Sequence, residues 1–428
     1  MNNIRVQARE GSCRSWLSFS FFVFLGMVFE MHKKAYSLLL VLFFFSCATQ
    51  PVMKEPESVI EETPIPTIEV PLPEIEAPPP QDDYLTIIAV GDNLYHDVMI
   101  RLGESGDYGS SYTEIKGLVE KADIAFINQE TLLAGASFGF SGYPQFNSPQ
   151  GLGRALSAAG FNVVNHATNH IMDKGEDAVF ATMDFWDTIP DVTILGIHRS
   201  EKERSLPTLI RKNNITLGFL SYTYGTNAIP LPRDKPYLVS LINTEIMEKE
   251  IDALRPLCDF LVVSMHWGEE YHHEYSKAQE NLAAFLAERR VDLVIGHHPH
   301  VIQPIEYIIR PDGEPMLCIY SLGNLISGQS QNATLLGALA YVRLKKSPAQ
   351  GDGADERIVF VEAGAIPLVT HYEKNYTGFK VYPLYAYSGE LLEIHWKNQN
   401  REELTMDYLS ETAARIFGDK EIRRNPFE

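Results

Sequence analysis

The sequence predicts an α/β domain with mainly parallel strands from residue 84 onward. Apolar runs rich in β-branched residues recur along the chain, and each gives way to glycine or polar residues and then to a helix-compatible segment. The polar residues that follow these runs are mostly carboxylates, amides and histidines. Because ligands bind at the carboxyl ends of parallel strands, these positions are the candidates for a functional site.

Each element follows from its own pattern. The predicted strands lie at residues 85–90, 124–127, 163–164, 192–197, 215–220, 260–263, 291–295 and 316–320. The predicted helices between them lie at residues 151–159, 177–186, 244–254 and 276–289. The last part of the chain differs, because residues 335–344, 357–370 and 379–384 have the pattern of antiparallel strands and residues 402–417 predict a terminal helix.

A segment with the pattern of a targeting signal, residues 1–47, precedes this domain. Met31 opens a short basic region, residues 35–46 form an apolar run, and Cys47 follows at once. The pattern resembles a bacterial lipoprotein signal with Cys47 as the lipidated residue, and we expect translation to begin at Met31. The run is shorter than the roughly 20 apolar residues that span a bilayer, and the alternative is an uncleaved membrane anchor.

Residues 48–83 are rich in proline and glutamate and are predicted to be a disordered linker. The sequence therefore divides into a signal segment (1–47), this linker and a folded domain (84–428). With Cys47 lipidated, the linker would hold the domain off the membrane, on the extracytoplasmic side of a bacterial cell envelope.

The net charge and the cysteines limit the kinds of partner and of covalent cross-link that this chain can have. The formal net charge is −20, and about −15 of it lies on residues 84–428. This acidity argues against nucleic-acid binding through a basic face. Cys258 and Cys318 lie beside or within apolar runs and are predicted to be buried free thiols, with a bridge between them as the alternative.

Histidines follow two of the predicted strands. The segment VIGHHPHV (294–301) contains His297, His298 and His300, and SMHWGEEY (264–271) places His266 at the end of another apolar run. A lone histidine in such a place is most simply a loop residue, but two strands that end in histidine indicate one shared metal site. Carboxylates and amides at the other strand ends suit divalent manganese, iron or zinc, rather than a thiolate zinc site.

Six motifs together resemble the capsule-synthesis CapA family, named for bacterial poly-γ-glutamate capsule synthesis, within the calcineurin-like metallophosphoesterase superfamily. They are GDNLYH (91–96), NQE (128–130), ATNHIMDKG (167–175), HWGEEY (266–271), GHHPHV (296–301) and SLGN (321–324). They occur in the family's order. The sequence departs from the family at Thr168, where asparagine is usual, and at Asn93 and Leu94, where GDVM is commoner. The resemblance implies a layered αββα sandwich of the metallo-dependent phosphatase type.

The resemblance also implies a site with two divalent ions. The implied metal ligands are Asp92, Glu130, Asn169, His266, His298 and His300, with Glu130 bridging the ions. His170 is implied to be the general acid that protonates the leaving group.

Further residues are candidates for extra ligands or for supporting contacts: His96, Asn128, Asp173, Glu269, Glu270, Tyr271, His297 and Asn324. We expect Asp173 to orient the His170 loop and Asn324 to hold a loop in place. We expect Glu269, Glu270 and Tyr271 either to contact substrate or to hydrogen-bond to His266. His96 is a candidate for the ligand position that the superfamily places near Leu94.

The expected function is that of a lipid-anchored metallohydrolase in capsule or cell-envelope polymer metabolism. Its substrate would be an anionic or phosphoester polymer, with capsule synthesis or export proteins as partners and without a nucleic-acid partner. One alternative is a non-catalytic, membrane-tethered protein that binds or exports the polymer. Another is a general metal-dependent phosphodiesterase.

Overall fold

The computed structural model describes residues 84–103, 107–347, 356–400 and 403–418. The predicted signal segment, the lipidation site at Cys47 and the proline-rich linker lie outside these residues.

Two mixed β-sheets form the frame of the domain. The strands are β1 Tyr84–Leu94, β2 Ile124–Gln129, β3 Val163–Asn165, β4 Thr193–Leu195, β5 Thr208–Lys212, β6 Ile215–Thr223, β7 Phe260–His266, β8 Leu293–His297, β9 Ile305–Ile309, β10 Pro315–Ile319, β11 Asn324–Ser327, β12 Leu336–Ser347, β13 Arg357–Glu373 and β14 Thr377–Pro383.

The first sheet has the order β14-β13-β12-β1-β2-β3-β4. Strands β1 to β4 run parallel, whereas β12, β13 and β14 pair antiparallel. The amino-terminal part of β1 pairs with β12, and its last residues, from Asp92 to Leu94, pair in parallel with β11. A change of partner therefore occurs next to Asp92.

The second sheet has the order β5-β6-β7-β8-β10-β9. Its four inner strands are parallel, and the two outer strands are antiparallel to their neighbours. The inner strands β7 and β8 are buried along their whole length, as expected for parallel strands covered on both faces.

Helices cover and connect the sheets. Their bounds are α1 Asp97–Gly103, α2 Thr113–Val119, α3 Gln150–Ala158, α4 Glu176–Trp186, α5 Glu201–Arg204, α6 Thr244–Leu254, α7 Lys277–Glu288, α8 Gly389–Ile394, α9 Trp396–Gln399 and α10 Met406–Phe417. Capping residues in the local sequence determine where several of these helices begin. Asn243 accepts hydrogen bonds from the first backbone N–H groups of α6, and Ser276 forms a capping box with Gln279 at the start of α7.

Successive side chains of a strand point to opposite faces of the sheet, so the apolar residues form two separate layers. In β7, Phe260 and Val262 pack in the same cluster as residues of the first sheet, such as Ile87. Leu261 and Val263 point the other way and pack in a cluster that contains α6 and α7. The two sheets therefore share a core, and helices cover the outer face of the second sheet, as expected for a two-sheet α/β sandwich.

The structure differs from the sequence prediction in three strands, in the start of the terminal helix and in the short helices α1, α2, α5, α8 and α9, which the sequence does not predict. The sequence does not predict β5, β9 or β11; β5 and β9 are half-exposed sheet edges, so a continuous apolar run does not mark them. Asn324, which the pattern places after the end of a strand, instead begins β11. The terminal helix begins at Met406 rather than at residue 402, because Thr405 caps it by accepting from the backbone N–H of Tyr408.

Cys258 and Cys318 are free thiols, as the sequence predicts, and no bridge joins them; Cys318 is buried as expected, whereas Cys258 is only half-buried. Among the described residues, no helix has both the length and the apolar character needed to cross a bilayer.

Candidate metal centre

The carboxyl ends of strands from both sheets meet at one place and bring polar side chains together. Asp92 lies in β1, Glu130 directly follows β2, and Asn169 follows β3 in the first sheet. His266 ends β7 in the second sheet, and His298 and His300 follow β8. Each of these six side chains is almost completely buried.

These side chains form two clusters that share one carboxylate. Asp92, Glu130 and His300 form the first cluster, and Glu130, His266 and His298 form the second. Within each cluster the potential ligand atoms lie within 4.8 Å of one another. The shared position of Glu130 is the arrangement that a carboxylate bridging two cations requires.

Short distances define the two clusters. In the first, His300 Nδ1 lies 3.0 Å from Asp92 Oδ2 and 3.9 Å from Glu130 Oε2. In the second, His266 Nε2 lies 3.8 Å from Glu130 Oε1 and 2.8 Å from Asn169 Oδ1. The amide oxygen of Asn169 therefore joins the second cluster.

The donor atoms fit a divalent metal. Both carboxylate oxygens of Glu130 are buried and have no hydrogen-bond partner among the described residues. A buried carboxylate without a partner costs several kcal/mol or more, and a bound cation removes that cost. The mixed set of imidazole, carboxylate and amide ligands suits a borderline divalent ion.

The electrostatics of the clusters agree with this fit. Burial, and then the neighbouring Asp92 carboxylate, raise the pKa of Glu130 well above its usual value. Burial, and then His298, lower the pKa of His266 far below its usual value, and burial lowers the pKa of His298 to about 3. These two imidazoles are therefore neutral at pH 7, which is the form that binds metals.

His300 is the exception among the histidines. Burial alone would lower its pKa, but the charges of Glu130 and Asp92 outweigh burial and raise the pKa to about 9. Its imidazolium neutralises part of the carboxylate charge, and a metal ion at this position would replace that proton.

An amide chain fixes the orientation of Asp92. Asn128 Nδ2 donates to Asp92 Oδ1 at 2.7 Å, and Asn165 Nδ2 donates to Asn128 Oδ1 at 2.7 Å. Ser221 on the second sheet donates to Asn165 Oδ1. Both ends of the Asn128 amide are therefore engaged, so Asn128 positions Asp92.

Asn324 and its loop support the other side of the first cluster. The Asn324 amide donates to Gln329 Oε1 at 2.9 Å and to the Thr334 carbonyl at 3.0 Å, while its Oδ1 lies 3.1 Å from His300 Nδ1. Asn324 thus holds a loop, as the sequence predicts, and also contacts His300.

His170 lies beside the clusters and is held by Asp173. Its Nδ1 lies 2.7 Å from Asp173 Oδ2, which also accepts the backbone N–H of Phe146 at 2.7 Å. The Phe146 ring packs edge-on against His170, with centroids 4.6 Å apart. Asp173 therefore orients His170. Neither Asp173 nor His170 belongs to either of the two clusters.

Sequence reasoning missed Phe146 and Asn227. Asn227 Oδ1 accepts from Asn169 Nδ2 at 3.1 Å, and its own Nδ2 lies 3.2 Å from His170 Nδ1. Asn227 has a φ of 49°, in the left-handed region that asparagine tolerates. It lies in the loop after the predicted strand 215–220, and no carboxylate or histidine between Ser221 and Asn227 marked that loop as part of a site.

His96 and His297 lie outside both clusters. His96 Nδ1 is 3.2 Å from both the Leu94 carbonyl oxygen and the Gly328 amide nitrogen, so backbone groups occupy that ring nitrogen. The suggestion that His96 supplies a metal ligand stays a prediction, because these contacts leave its Nε2 available. His297 stacks on Phe126 at 5.5 Å, and its Nδ1 is 3.9 Å from Asp92 Oδ1.

The HWGEEY segment also departs from expectation. The suggested hydrogen bonds from Glu269, Glu270 or Tyr271 to His266 are not formed among the described residues, because His266 Nε2 pairs with Asn169 and His266 Nδ1 has no partner there. Glu269 and Glu270 are exposed. Glu270 nevertheless lies near His298 and His300, and these three form a further group of potential ligand atoms.

An open cavity of about 670 Å³ leads to the clusters. Its walls include His170, Asn227, Glu270, Tyr271 and Tyr143, and its lining includes no lysine or arginine among the described residues. A small molecule can therefore reach His170, Asn169 and His300 from solvent.

The fold and the site define a class: a two-sheet α/β protein with a cluster of metal-binding type at the carboxyl ends of its parallel strands. Residues 86–329 match the family described as bacterial capsule synthesis protein PGA_cap, and the chain belongs to that family. The predicted resemblance to the capsule-synthesis family is confirmed.

Two curated relatives match part of the chain. The PGA biosynthesis protein CapA of Bacillus subtilis (strain 168) is 29% identical over 196 residues, 45% of this chain and 50% of that protein. The capsule biosynthesis protein CapA of Bacillus anthracis is 30% identical over 198 residues, 45% of this chain and 46% of that protein. The match thus spans about half the length of these relatives.

Solved structures with lower sequence identity also match. The NAD nucleotidase of Haemophilus influenzae has a TM-score of 0.43 and 11% identity, over 78% of this chain and 67% of that chain. The 5′-nucleotidase precursor of Thermus thermophilus has a TM-score of 0.40 and 13% identity, over 77% of this chain and 59% of that chain.

Proposed function

We propose that this chain is a metal-dependent hydrolase that acts on a polymer of the bacterial cell envelope. The observation that supports a catalytic role is the meeting of carboxylate, amide and imidazole ligands around the shared Glu130, with His170 at the adjoining cavity. The family description and the names of the two Bacillus relatives support a role in capsule synthesis, with a poly-γ-glutamate-type polymer as the substrate.

Two divalent ions, of manganese, iron or zinc, are the proposed cofactors. Asp92, Glu130 and His300 would hold one ion, and the second position would use Glu130 with the ligands Asn169, His266 and His298. When bound, such ions supply Lewis-acid polarisation of the scissile group and lower the pKa of a water molecule.

His170 is the proposed general acid. The Asp173 carboxylate would accept a hydrogen bond from His170 Nδ1–H, which fixes the orientation of the ring and leaves Nε2 for proton exchange with the substrate. The Phe146 ring restrains the imidazole, and Asn227 lies beside His170 and accepts a hydrogen bond from the ligand Asn169. The proton that Nε2 donates would neutralise the leaving group as its bond to the substrate breaks.

The proposed location is the outer side of the membrane, with a lipid at Cys47 and the linker as a tether. The proposed partners are the membrane and the proteins that synthesise or export the capsule. The capsule names of the relatives and the lipoprotein-like sequence before Cys47 support this location.

The test compares the full-length protein with three variants in detergent. Chain shortening of poly-γ-glutamate is measured by gel filtration, and release of nitrophenol from an aryl phosphodiester is measured by absorbance. We expect His170→Ala to lose roughly 100-fold or more in kcat while keeping its metal, since general acids contribute about 10² to 10⁴. We expect Asp92→Ala to lose both metal and activity, and His272→Ala, at an exposed loop histidine, to behave as wild type.

Full activity in both His170→Ala and Asp92→Ala would remove the catalytic assignment. Metal binding by the wild type without turnover of either substrate would instead favour the non-catalytic polymer-binding alternative.

A further inference from the structure

An exposed carboxylate stands at the solvent side of the histidine clusters. Ligand atoms of Glu270, His298 and His300 lie within 4.8 Å of one another, although Glu270 itself is exposed. His298 belongs to one of the two buried clusters and His300 to the other. Glu270 is therefore adjacent to both proposed metal positions, as Glu130 is from the buried side.

Backbone contacts hold the Glu270 segment against the histidines. The N–H of Trp267 donates to the His297 carbonyl at 3.0 Å, and the N–H of Tyr271 donates to the Pro299 carbonyl at 2.8 Å. Glu270 lies between these two bonds. The segment is thus fixed at both ends to the turn that carries His298, rather than being a free surface loop.

The backbone conformation of this contact is specific. Gly268 has a φ of 93°, and a Cβ there would lie 2.7 Å from the Gln279 side chain, so glycine is required. Tyr271 has a φ of 66°, and His298 has a φ of 97°, which is unusual for a residue with a side chain. Such strained backbone tends to occur at functional sites, where the surrounding structure maintains it.

A neighbouring hydroxyl orients the carboxylate. The Tyr271 hydroxyl lies beside Glu270, since burial, and then the charge of Glu270 and a hydrogen bond with it, raise the pKa of Tyr271 to about 12. Gln329 in turn donates to the Tyr271 hydroxyl at 3.4 Å. Hydrogen bonds of this kind commonly orient metal-binding carboxylates.

We propose that Glu270 is a further metal ligand, a third carboxylate that reaches the two-metal centre from its solvent side, between His300 of one proposed position and His298 of the other. This inference rests on the proposed function, because it assumes that the buried clusters bind metal. The neighbouring Glu269 is also exposed but belongs to no such group among the described residues, so it provides a matched control.

The test measures metal binding rather than turnover. The full-length protein and its Glu270→Gln, Glu270→Asp and Glu269→Gln variants are stripped with a chelator and titrated with Co²⁺, by calorimetry and visible absorption. We expect Glu270→Gln to bind Co²⁺ on the order of tenfold or more weakly and to change the absorption bands, because ligand and supporting contacts commonly contribute about 10- to 100-fold. Glu270→Asp should keep part of the affinity, and Glu269→Gln should match the wild type.

Equal affinity and equal spectra for Glu270→Gln and Glu269→Gln would overturn this inference and leave the proposed function standing. A wild-type protein that binds no Co²⁺ would overturn both. Thermal melts of the metal-free proteins check that the variants fold, which we expect because the Glu270 side chain is on the surface.

Discussion

At the scale of single residues, Glu130 organises the chemistry of the site. It is fully buried, neither of its oxygens has a hydrogen-bond partner among the described residues, and it contacts His266 on one side and His300 on the other. A protein of marginal stability retains such a group only where function needs it or a bound cation compensates it. The histidines on either side supply the ligands for that cation.

Asp173 provides a test of how His170 is positioned. Asp173→Asn keeps an oxygen that can accept the Phe146 N–H but removes the carboxylate charge beside His170 Nδ1. We expect kcat to fall roughly 10- to 100-fold, with little change in KM and an altered pH profile, because the tautomer of His170 is no longer fixed. Steady-state kinetics over a range of pH measures this.

Asp177→Asn is the control, because Asp177 lies on the exposed side of the next helix. It should change kcat by less than about twofold. The orienting role of Asp173 would be refuted if both variants had the same kcat and the same pH profile.

At the scale of elements, close backbone crossings bring the strand ends together. A Cβ on Gly91 would lie 1.9 Å from the Gly323 carbonyl oxygen, and one on Gly337 would lie 1.8 Å from the Asn324 carbonyl oxygen. These contacts let β11 lie against the end of β1, where Asp92 begins its pairing with Asn324. Only glycine allows two backbones to approach so closely.

We therefore expect Gly91→Ala to lower the free energy of unfolding by about 1–3 kcal/mol, since the methyl group must displace the Gly323 backbone. It should also weaken metal binding, because Asp92 moves with its neighbour. Denaturant unfolding and a metal titration measure the two effects.

Gly117→Ala in α2 is the matched change, because nothing lies within 4 Å of the added methyl group. There we expect stabilisation by about 0.4–1 kcal/mol, from the lower chain entropy of the unfolded state and the better helix propensity of alanine. If both variants had equal stability, the crossing at Gly91 would not constrain the fold.

At the scale of the whole molecule, the candidate centre joins the two sheets. Asp92, Glu130 and Asn169 belong to the first sheet or its loops, whereas the histidine ligands come from the second. A bound cation would therefore connect the two layers of the sandwich as well as serve catalysis. Any ligand that binds only the folded state stabilises that state by mass action.

Chelation should consequently lower the melting temperature of the wild-type protein. At a free metal concentration of about 100 times Kd, the loss of binding corresponds to about 2.7 kcal/mol. Differential scanning calorimetry with and without a chelator measures the shift. In Asp92→Ala the shift should be much smaller, and an equal shift in both proteins would contradict the assignment of Asp92.

Strand periodicity made the inner elements predictable. Runs such as those of β7 and β8 are buried along their whole length, and their short, apolar, β-branched sequences favour inner parallel strands. The edge strands β5 and β9 escaped prediction because none of their residues is fully buried. Strand β11 is buried at all four positions, but it is short and its partner, the end of β1, is far away in the sequence.

The sequence by itself determined the α/β class, the inner strands, the family and the polar residues at the strand ends, because burial periodicity and motif order are local properties of a chain. The tertiary structure decided which side chains meet. It directed His297 onto Phe126 while His298 and His300 entered the clusters, and it brought Asn227 to His170. These outcomes depend on positive backbone angles and on the packing of one sheet against the other, which join residues far apart in sequence.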